Sequence, residues 1–457
     1  MSRTRDDAVP AIAALSAVAL STLALSAALL GSMATPARAV TCEAAPALRL
    51  SQQGASVAAP AVQLIESRPI ESTLGNPALP DAACAWIALI HSATRAIDIE
   101  QFYLSIWPGE PMDDVLAALG QAASRGVRIR LLLDARMYKT YPRVADSLAK
   151  MRGWTVRRVD YGRIAGGVQH AKFFLVDGRV SVIGSQNFDW RSLEHIHELG
   201  VVVQDERATR DFQRVFEMDW NLGDAPGVPP DTTRTAKATP SPHAAGVLPY
   251  HLPQAPGDTA LVWPAWSPRE FSPDTMLWDL DQLVALLDRS QHEVVLQTLT
   301  YSISSHGVTD DALDAALRRA AARGVRVRMI ISDWEISSAG FADLKRLAVV
   351  PNIEVKLSTV PAWSGGYVPF ARVEHLKYAV VDSMWMWIGT SNWEPSYFHS
   401  TRNLAVILKN AVLAQQARTI FETSWLAPGS EALDPARTYT PKEHGETPPA
   451  AAKKFGG

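Results

Sequence analysis

The stretch His170-Ala171-Lys172-Phe173-Phe174-Leu175-Val176-Asp177, followed by Gly184-Ser185-Gln186-Asn187, occurs twice in altered form. The second copy reads His375-Leu376-Lys377-Tyr378-Ala379-Val380-Val381-Asp382, then Gly389-Thr390-Ser391-Asn392. Every matched position lies 205 residues from its twin, as do Phe216-Glu217 and Trp220 from Phe421-Glu422 and Trp425. Further upstream, Arg125-Gly126-Val127-Arg128-Ile129-Arg130 returns as Arg323-Gly324-Val325-Arg326-Val327-Arg328 at a spacing of 198. Solenoid repeats have periods of about 20–50 residues. A period near two hundred is a duplicated domain instead.

Each half shows the same order of elements. Alternating apolar runs (Ala96 to Tyr103; Val294 to Tyr301) predict a strand. Ala-rich segments of helical period follow (Asp113 to Ser124; Asp310 to Arg323), and Gly126 or Gly324 marks the stop. Arg128 to Leu133 and Arg326 to Ile331 then predict strands leading to Asp134 and Asp333. Strand–helix–strand order with short Gly turns implies an α/β fold with mixed or parallel sheets in each half. The expected halves are residues 63–222 and 259–428. Residues 223–258 between them hold eight prolines, among them Pro226, Pro249 and Pro253, and predict an extended linker. A short segment, 40–62, precedes the first half, and a mobile tail, 429–457, is expected after the second.

The 457 residues are 47% hydrophobic and 20% charged, which excludes disorder and disulfide-scaffold miniproteins. Arg3 and Arg5, an apolar run from Ala11 to Leu30 and Ala37-Arg38-Ala39 form a charged, apolar and small-residue series. That series predicts a Sec-type export signal over residues 1–39, with a periplasmic or secreted destination. The alternative is an uncleaved N-terminal membrane anchor, which the serines and threonine within the run disfavour. The net charge is -3 and becomes about -4 without that segment. Such a balance excludes a broadly basic, nucleic-acid-coating surface, though a local basic funnel is compatible with it. The two cysteines, Cys42 and Cys84, would pair in an oxidising compartment, closing a loop worth roughly 3–4 kcal/mol. The other reading is two free thiols.

Read as a strand, the motif places His170 and Lys172 on one face and Asp177 on the other, and His375, Lys377 and Asp382 repeat the arrangement. After the turn, Ser185 and Asn187, or Thr390 and Asn392, return toward the same region. An ammonium, an amide, a hydroxyl and an imidazole together suit a phosphate. Displacement at phosphorus needs a nucleophile on one side and a proton donor for the leaving oxygen on the other, so one half is insufficient. Two halves related by a twofold would place His170 and His375 across one pocket.

The pattern His-x-Lys-x4-Asp followed by Gly-Ser-x-Asn resembles the signature of the phospholipase D superfamily. Asn187-Phe188-Asp189-Trp190-Arg191-Ser192-Leu193, Glu198-Leu199-Gly200-Val201-Val202 and Gly389-Thr390-Ser391-Asn392-Trp393 narrow the likeness. They look like the lysosomal phospholipase D-like 5′ exonucleases of animals and the poxvirus envelope phospholipases. The resemblance, over roughly residues 63–428, implies two similar α/β/α sandwich halves related by a pseudo-twofold axis. It also implies metal-free, cofactor-free catalysis through a phosphohistidine. Carried onto this chain, His170 attacks and His375 is the general acid, while Lys172, Lys377, Asn187 and Asn392 hold the phosphoryl oxygens. Ser185 and Thr390 would be weaker donors, and Asp177 and Asp382 would anchor the motif loops. Glu198 matches the carboxylate that orients the first-half imidazole. Its twin position is Asn403, an amide, which leaves His375 with another orienter or none.

Other residues offer weaker chemical signals. His195 and His197 sit two apart, with no third ligand of defined spacing, and read as surface or supporting residues. Trp385 and Trp387 read as packing, whereas Trp393 would shape the pocket or stack a base. The expected function is an exported phosphodiesterase with 5′ exonuclease-like activity on single-stranded nucleic acid. Phospholipase D-type hydrolysis or transphosphatidylation of phospholipids, with peripheral membrane contact, is the alternative. A non-catalytic phosphate-binding envelope protein is the second. No obligate protein partner is implied.

Overall fold

The computed structural model describes residues 42, 46–51, 59–225 and 248–446. The expected export signal, residues 226–247 of the Pro-rich segment and the last residues of the tail lie outside them. A disulfide joins Cys42 to Cys84.

In the first half, strand β2 (Ala96–Gln101) alternates: Ile97 and Ile99 enter one apolar cluster, while the intervening Asp98 and Glu100 face the other way. Its neighbours are β1 (Val62–Ser67), β3 (Arg128–Asp134), β4 (Trp154–Val159), β5 (Phe173–Val176), β6 (Val180–Gly184) and β7 (Glu198–Val203). They form a sheet in the order β1-β7-β6-β5-β2-β3-β4, parallel at β2–β3–β4 and antiparallel elsewhere. The second half repeats this order with β9 (Asp258–Ser267), β10 (Glu293–Thr298), β11 (Arg326–Ser332), β12 (Ile353–Ser358), β13 (Tyr378–Val381), β14 (Trp385–Gly389) and β15 (Asn403–Lys409).

Helices α1 (Ala82–Ser92) and α2 (Pro111–Ser124) cover the outer face of the first sheet. Pro111 opens α2, acidic Asp113 and Asp114 occupy its first turn, and Met112, Val115, Ala118, Leu119 and Ala122 are buried at helical spacing. Arg125 caps it, and Gly126, at φ +94°, turns the chain away. In the second half α4 (Asp279–Asp288) and α5 (Ala312–Ala322) do the same, with Gly324 at φ +86°. The inner faces of both sheets share one core with the long helices α3 (Glu206–Leu222) and α6 (Ala411–Leu426). Asp205 and Asn410, again 205 apart, cap these two helices by accepting two backbone N–H bonds each. The α/β/α layering expected of each half is therefore present.

The repeated Phe-Glu-x-x-Trp now has a structural reason. Arg130 lies 4.6 Å from the Phe216 ring centre and 5.1 Å from that of Trp220, and pairs with Asp98 and Glu217. Arg328 repeats this over Phe421 and Trp425 with Glu293 and Glu422. A guanidinium that is stacked and doubly paired fastens each central helix to its sheet.

Two expectations about irregular segments are corrected. Part of the supposed linker is strand β8 (Tyr250–Ala255), paired with β9 at the sheet edge, where Pro253 needs no ladder N–H. The tail is docked as far as residue 446. Its strand β16 (Ser430–Ala432) pairs with β12, Phe370 N–H donates to the His444 carbonyl, and Lys442 pairs with Asp333 at 2.7 Å. An open sheet edge and a buried carboxylate hold what composition alone marks as mobile.

Candidate active site

The motif strand is shorter than its alternation suggests. β5 begins at Phe173, and the residues before it cross to the other half. Arg402 N–H donates to the Val168 carbonyl and His170 N–H to that of Arg402, both at 2.9 Å. The duplicate crossing has His197 N–H donating to Val373 at 3.0 Å and His375 N–H to His197 at 2.9 Å. Position 402 is the twin of 197, so the two crossings are one interaction used twice. This seam sets each motif histidine beside residues of the opposite half.

Consequently the orienting groups are exchanged. His375 Nδ1 lies 2.8 Å from Glu198 Oε2, and His170 Nδ1 lies 3.0 Å from Asn403 Oδ1. Glu198 does not orient the first-half imidazole. It serves the second, and the amide at 403 serves the first. A spacing argument pairs groups within a repeat, whereas the crossings pair them between repeats.

The two orienters are themselves held differently. Glu198 Oε1 accepts from Ser192 Oγ at 2.6 Å. Asn403 Nδ2 donates to the Tyr397 carbonyl at 2.8 Å, which fixes Oδ1 toward His170 and makes the ring's Nδ1 a donor. Tyr397 occupies the twin position of Ser192, so a hydroxyl donor serves the carboxylate and a carbonyl acceptor serves the amide. Ser185 and Thr390 belong to this support, not to a phosphate site. Leu199 N–H donates to Ser185 Oγ at 3.0 Å beside Glu198, and Thr390 Oγ1 donates to Asn403 Oδ1 at 2.8 Å. Gly184 and Gly389 precede them because strands approach closely there: an added Cβ at Gly184 would lie 2.7 Å from Gly200 Cα, and one at Gly389 2.9 Å from Ala405 Cβ.

Lys172 and Lys377 are buried, and each donates to the carbonyl of its own motif histidine, at 2.6 and 2.7 Å. That occupies one of three N–H bonds per ammonium. Asn187 and Asn392 are buried, and the Oδ1 of each lacks a hydrogen-bond partner among the described residues. These amide oxygens can accept only from an N–H or O–H of water or a bound group, whereas the Nδ2 end of each amide is the one that can donate. Phe102 and Tyr397 pack edge-on against the His170 ring, at 5.0 and 4.9 Å between centres, and Lys172 Nζ lies 5.1 Å from the Phe102 ring centre. Repeat matching misses these two aromatics because their twin positions hold Thr300 and Ser192.

Burial, then Lys172 and Lys377, holds His170 well below the usual histidine range. Burial, Lys377 and Lys172 act likewise on His375. Each ring thus senses the lysine of the other half, so the two motifs share one electrostatic site. Burial pushes Lys377 down to about 7 against the pull of Glu198 and Glu394. It pushes Glu198 up to about 8, opposed first by Lys377. Below that value the Glu198–His375 pair carries one proton beyond a carboxylate and a neutral ring. With the acid group engaged at Nδ1, the ring then has an N–H at Nε2. His170 is the reverse: Nδ1 donates to the amide, and Nε2 offers a lone pair.

Asp177 accepts from the backbone N–H groups of Thr94, Arg95 and Ala96, and Asp382 from those of Gln291, His292 and Glu293. Trp393 does not line the site. It is fully buried in the second half's outer core, 6.1 Å from Trp387, because its backbone bridges to Thr300 and Ser302. His195 and His197 are not surface residues either. His197 is enclosed between Glu374 and Glu66, at 2.5 and 2.8 Å; burial opposes its charge, but the two carboxylates outweigh it and carry the ring to about 10. His195 is buried too, its ligand atoms within 4.8 Å of those of Glu110 and Glu194. Glu194 is the sequence neighbour of His195, whereas Glu66, Glu110 and Glu374 come from distant segments that spacing could not reveal.

A family model described as "Cardiolipin synthase, PLD-like domain" matches residues 86–220 and again 283–425. The chain belongs to the phospholipase D superfamily. Among its relatives, the 5'-3' exonuclease PLD3 of Rattus norvegicus is 32% identical over 406 residues, covering 81% of this chain and 80% of that protein. Phospholipase D Z of Dictyostelium discoideum is 31% identical over 398 residues, covering 83% and 91%. The phosphatidylserine synthase of Haemophilus influenzae superposes with a TM-score of 0.59 over 82% of this chain and 87% of that one, at 12% identity, a likeness of fold. In this superfamily member both copies of the motif meet at one seam. Among the described residues no helix is long and apolar enough to cross a membrane.

Proposed function

We propose that this chain is an exported phosphodiesterase that removes nucleotides from the 5′ end of single-stranded nucleic acid through a phosphohistidine. The observation that carries the reading is the exchanged pair of orienters, which prepares one imidazole as a nucleophile and the other as an acid. His170 Nε2 attacks phosphorus while the N–H at His375 Nε2 protonates the departing oxygen, and the P–O bond breaks as the N–P bond forms. Water, deprotonated by His375, then attacks phosphorus and releases His170. An amide at Nδ1, unlike a carboxylate, keeps the His170 ring neutral and its Nε2 lone pair free for attack. Lys172, Lys377, Asn187 and Asn392 surround the phosphoryl oxygens. The proton that leaves His375 Nε2 is the one the Glu198–His375 pair already holds below about 8.

The 5'-3' exonuclease relatives support the nucleic-acid substrate, and the charged, apolar, small-residue start of the chain supports export. Phospholipid hydrolysis or head-group transfer is the second reading, favoured by the equally similar Phospholipase D Z. The decisive assay supplies 5′-hydroxyl oligonucleotides beside phosphatidylcholine and phosphatidylglycerol vesicles. Turnover confined to the vesicles overturns the nucleic-acid reading. Trapping phosphate on His170 by mass spectrometry after an acid quench tests the covalent step, and phosphate on His375 instead reverses the roles.

A further inference from the structure

Three residues before His375, the chain passes a second cavity of about 540 Å³, walled by Trp363 and Tyr367 and by Asp333, Arg372, Lys442 and His444. Three polar atoms of these wall residues are buried and meet no hydrogen-bond partner among the described residues: Asp333 Oδ1, Arg372 Nη2 and His444 Nε2. Their residues are otherwise fixed. Asp333 Oδ2 accepts from Thr359 at 2.8 Å and Lys442 at 2.7 Å, and Arg372 donates to the carbonyls of Pro361 and Ile70 at 2.6 and 2.8 Å. The His444 ring stacks on Trp334 at 4.5 Å. Buried donors and acceptors are generally completed by protein, ordered water or a ligand, and here three belong to residues around one cavity.

The set discriminates among ligands. An acyl chain leaves all three polar atoms unfilled. A phosphate meets the guanidinium but also an acceptor-only carboxylate oxygen, which repels it. A flat heteroaromatic ring with both N–H and acceptor edges satisfies Asp333 and Arg372 together while its faces meet apolar and aromatic walls. Three residues of extended chain span at most about 11 Å, so Arg372 lies within a nucleotide or two of the motif histidine.

We propose that this cavity is a nucleobase subsite, holding a base of the strand whose neighbouring phosphate lies between His170 and His375. This rests on the nucleic-acid reading above. Guanine fits best, because it offers two adjacent donors, N1–H and N2–H, toward Asp333 together with acceptors at O6 and N7 toward Arg372.

The test uses the mature chain with two variants outside the reaction centre. Ala362→Trp plugs the exposed rim, and Asp333→Asn keeps the shape while removing the obligate acceptor. Kinetics are compared on a short oligonucleotide and on bis(p-nitrophenyl) phosphate, which has no base. Losing one stacked base predicts about a tenfold rise in oligonucleotide KM in both variants, with kcat retained and the small diester unaffected. Unchanged oligonucleotide KM, or parallel losses on both substrates, overturns the subsite. Should the wild type ignore oligonucleotides, the substrate reading fails, and guanosine 5′-monophosphate titration decides the pocket separately. Saturable binding lost in Ala362→Trp supports it, and absent binding overturns it.

Discussion

The two halves are close copies that differ where chemistry demands a difference. At the seam, the first half lends a carboxylate, Glu198, to the second half's imidazole, and the second lends an amide, Asn403, to the first. Around them Ser192 is matched by Tyr397, so each orienter has a support of the right polarity. A perfect duplicate would present two equivalent rings, both with a lone pair at Nε2 or both with an N–H there. Displacement at phosphorus needs one of each. Divergence at one pair of positions, 198 and 403, converts a symmetric scaffold into an ordered acid and nucleophile.

The comparison breaks most sharply at His170. Its replacement by Ala removes the covalent step, and turnover on every diester is expected to vanish; more than about a tenth of wild-type rate remaining would sink the two-histidine reading. Removing the acid function is expected to cost about 10²–10⁴ on substrates with alkoxide leaving groups. Both His375→Ala and Glu198→Gln should show this, yet on p-nitrophenyl esters release the first equivalent of p-nitrophenol at close to the wild-type rate, because that leaving group needs no proton. Equal losses on both ester types would place His375 and His170 in the same role. Lys172→Ala is expected to cost about 10²–10³ in kcat whatever the leaving group.

The pH profile sharpens the asymmetry. The nucleophile must be neutral, and His170 is held well below the usual range, so the acid limb of kcat/KM falls well below the ordinary histidine value. Lys377, near 7, and the Glu198 pair, near 8, must keep their protons, so activity declines as pH rises through that interval. The optimum is therefore acidic. Asn403→Asp gives His170 a carboxylate, raises its pKa and moves the acid limb upward; an unmoved limb would show that the amide does not set the nucleophile's charge. The smallest effects lie at the helix caps. Asp205→Ala and Asn410→Ala are each expected to cost about 1 kcal/mol of stability, read as a lower urea midpoint, with activity unchanged.

Repetition made most of this architecture legible. Groups at a constant spacing of 205 include both histidines, both lysines, both motif asparagines and the aspartates that tie each motif turn to backbone amides. Strands and helices also followed their periodicities, because alternation and 3.6-residue spacing report which face is buried. Legibility ended where partners come from elsewhere in the chain. Trp393 read as a pocket residue from its neighbour Asn392, yet its backbone bridges turn it into the core. Ser185 and Thr390 read as phosphate donors, yet they support the orienters. Phe102 and Tyr397 border the site without twins, so no repeat could point to them.

Covalent order thus sufficed to specify a duplicated α/β chain carrying two phosphate-handling sets, since local periodicity and spacing are written in the chain itself. Which carboxyl or amide meets which ring was settled only by folding. The backbone crossings at 168–170 with 402 and at 197 with 373–375 join segments about two hundred residues apart. Hydrogen bonds respond to distance in space and not along the polypeptide, so an exchange across the seam leaves no mark in linear spacing.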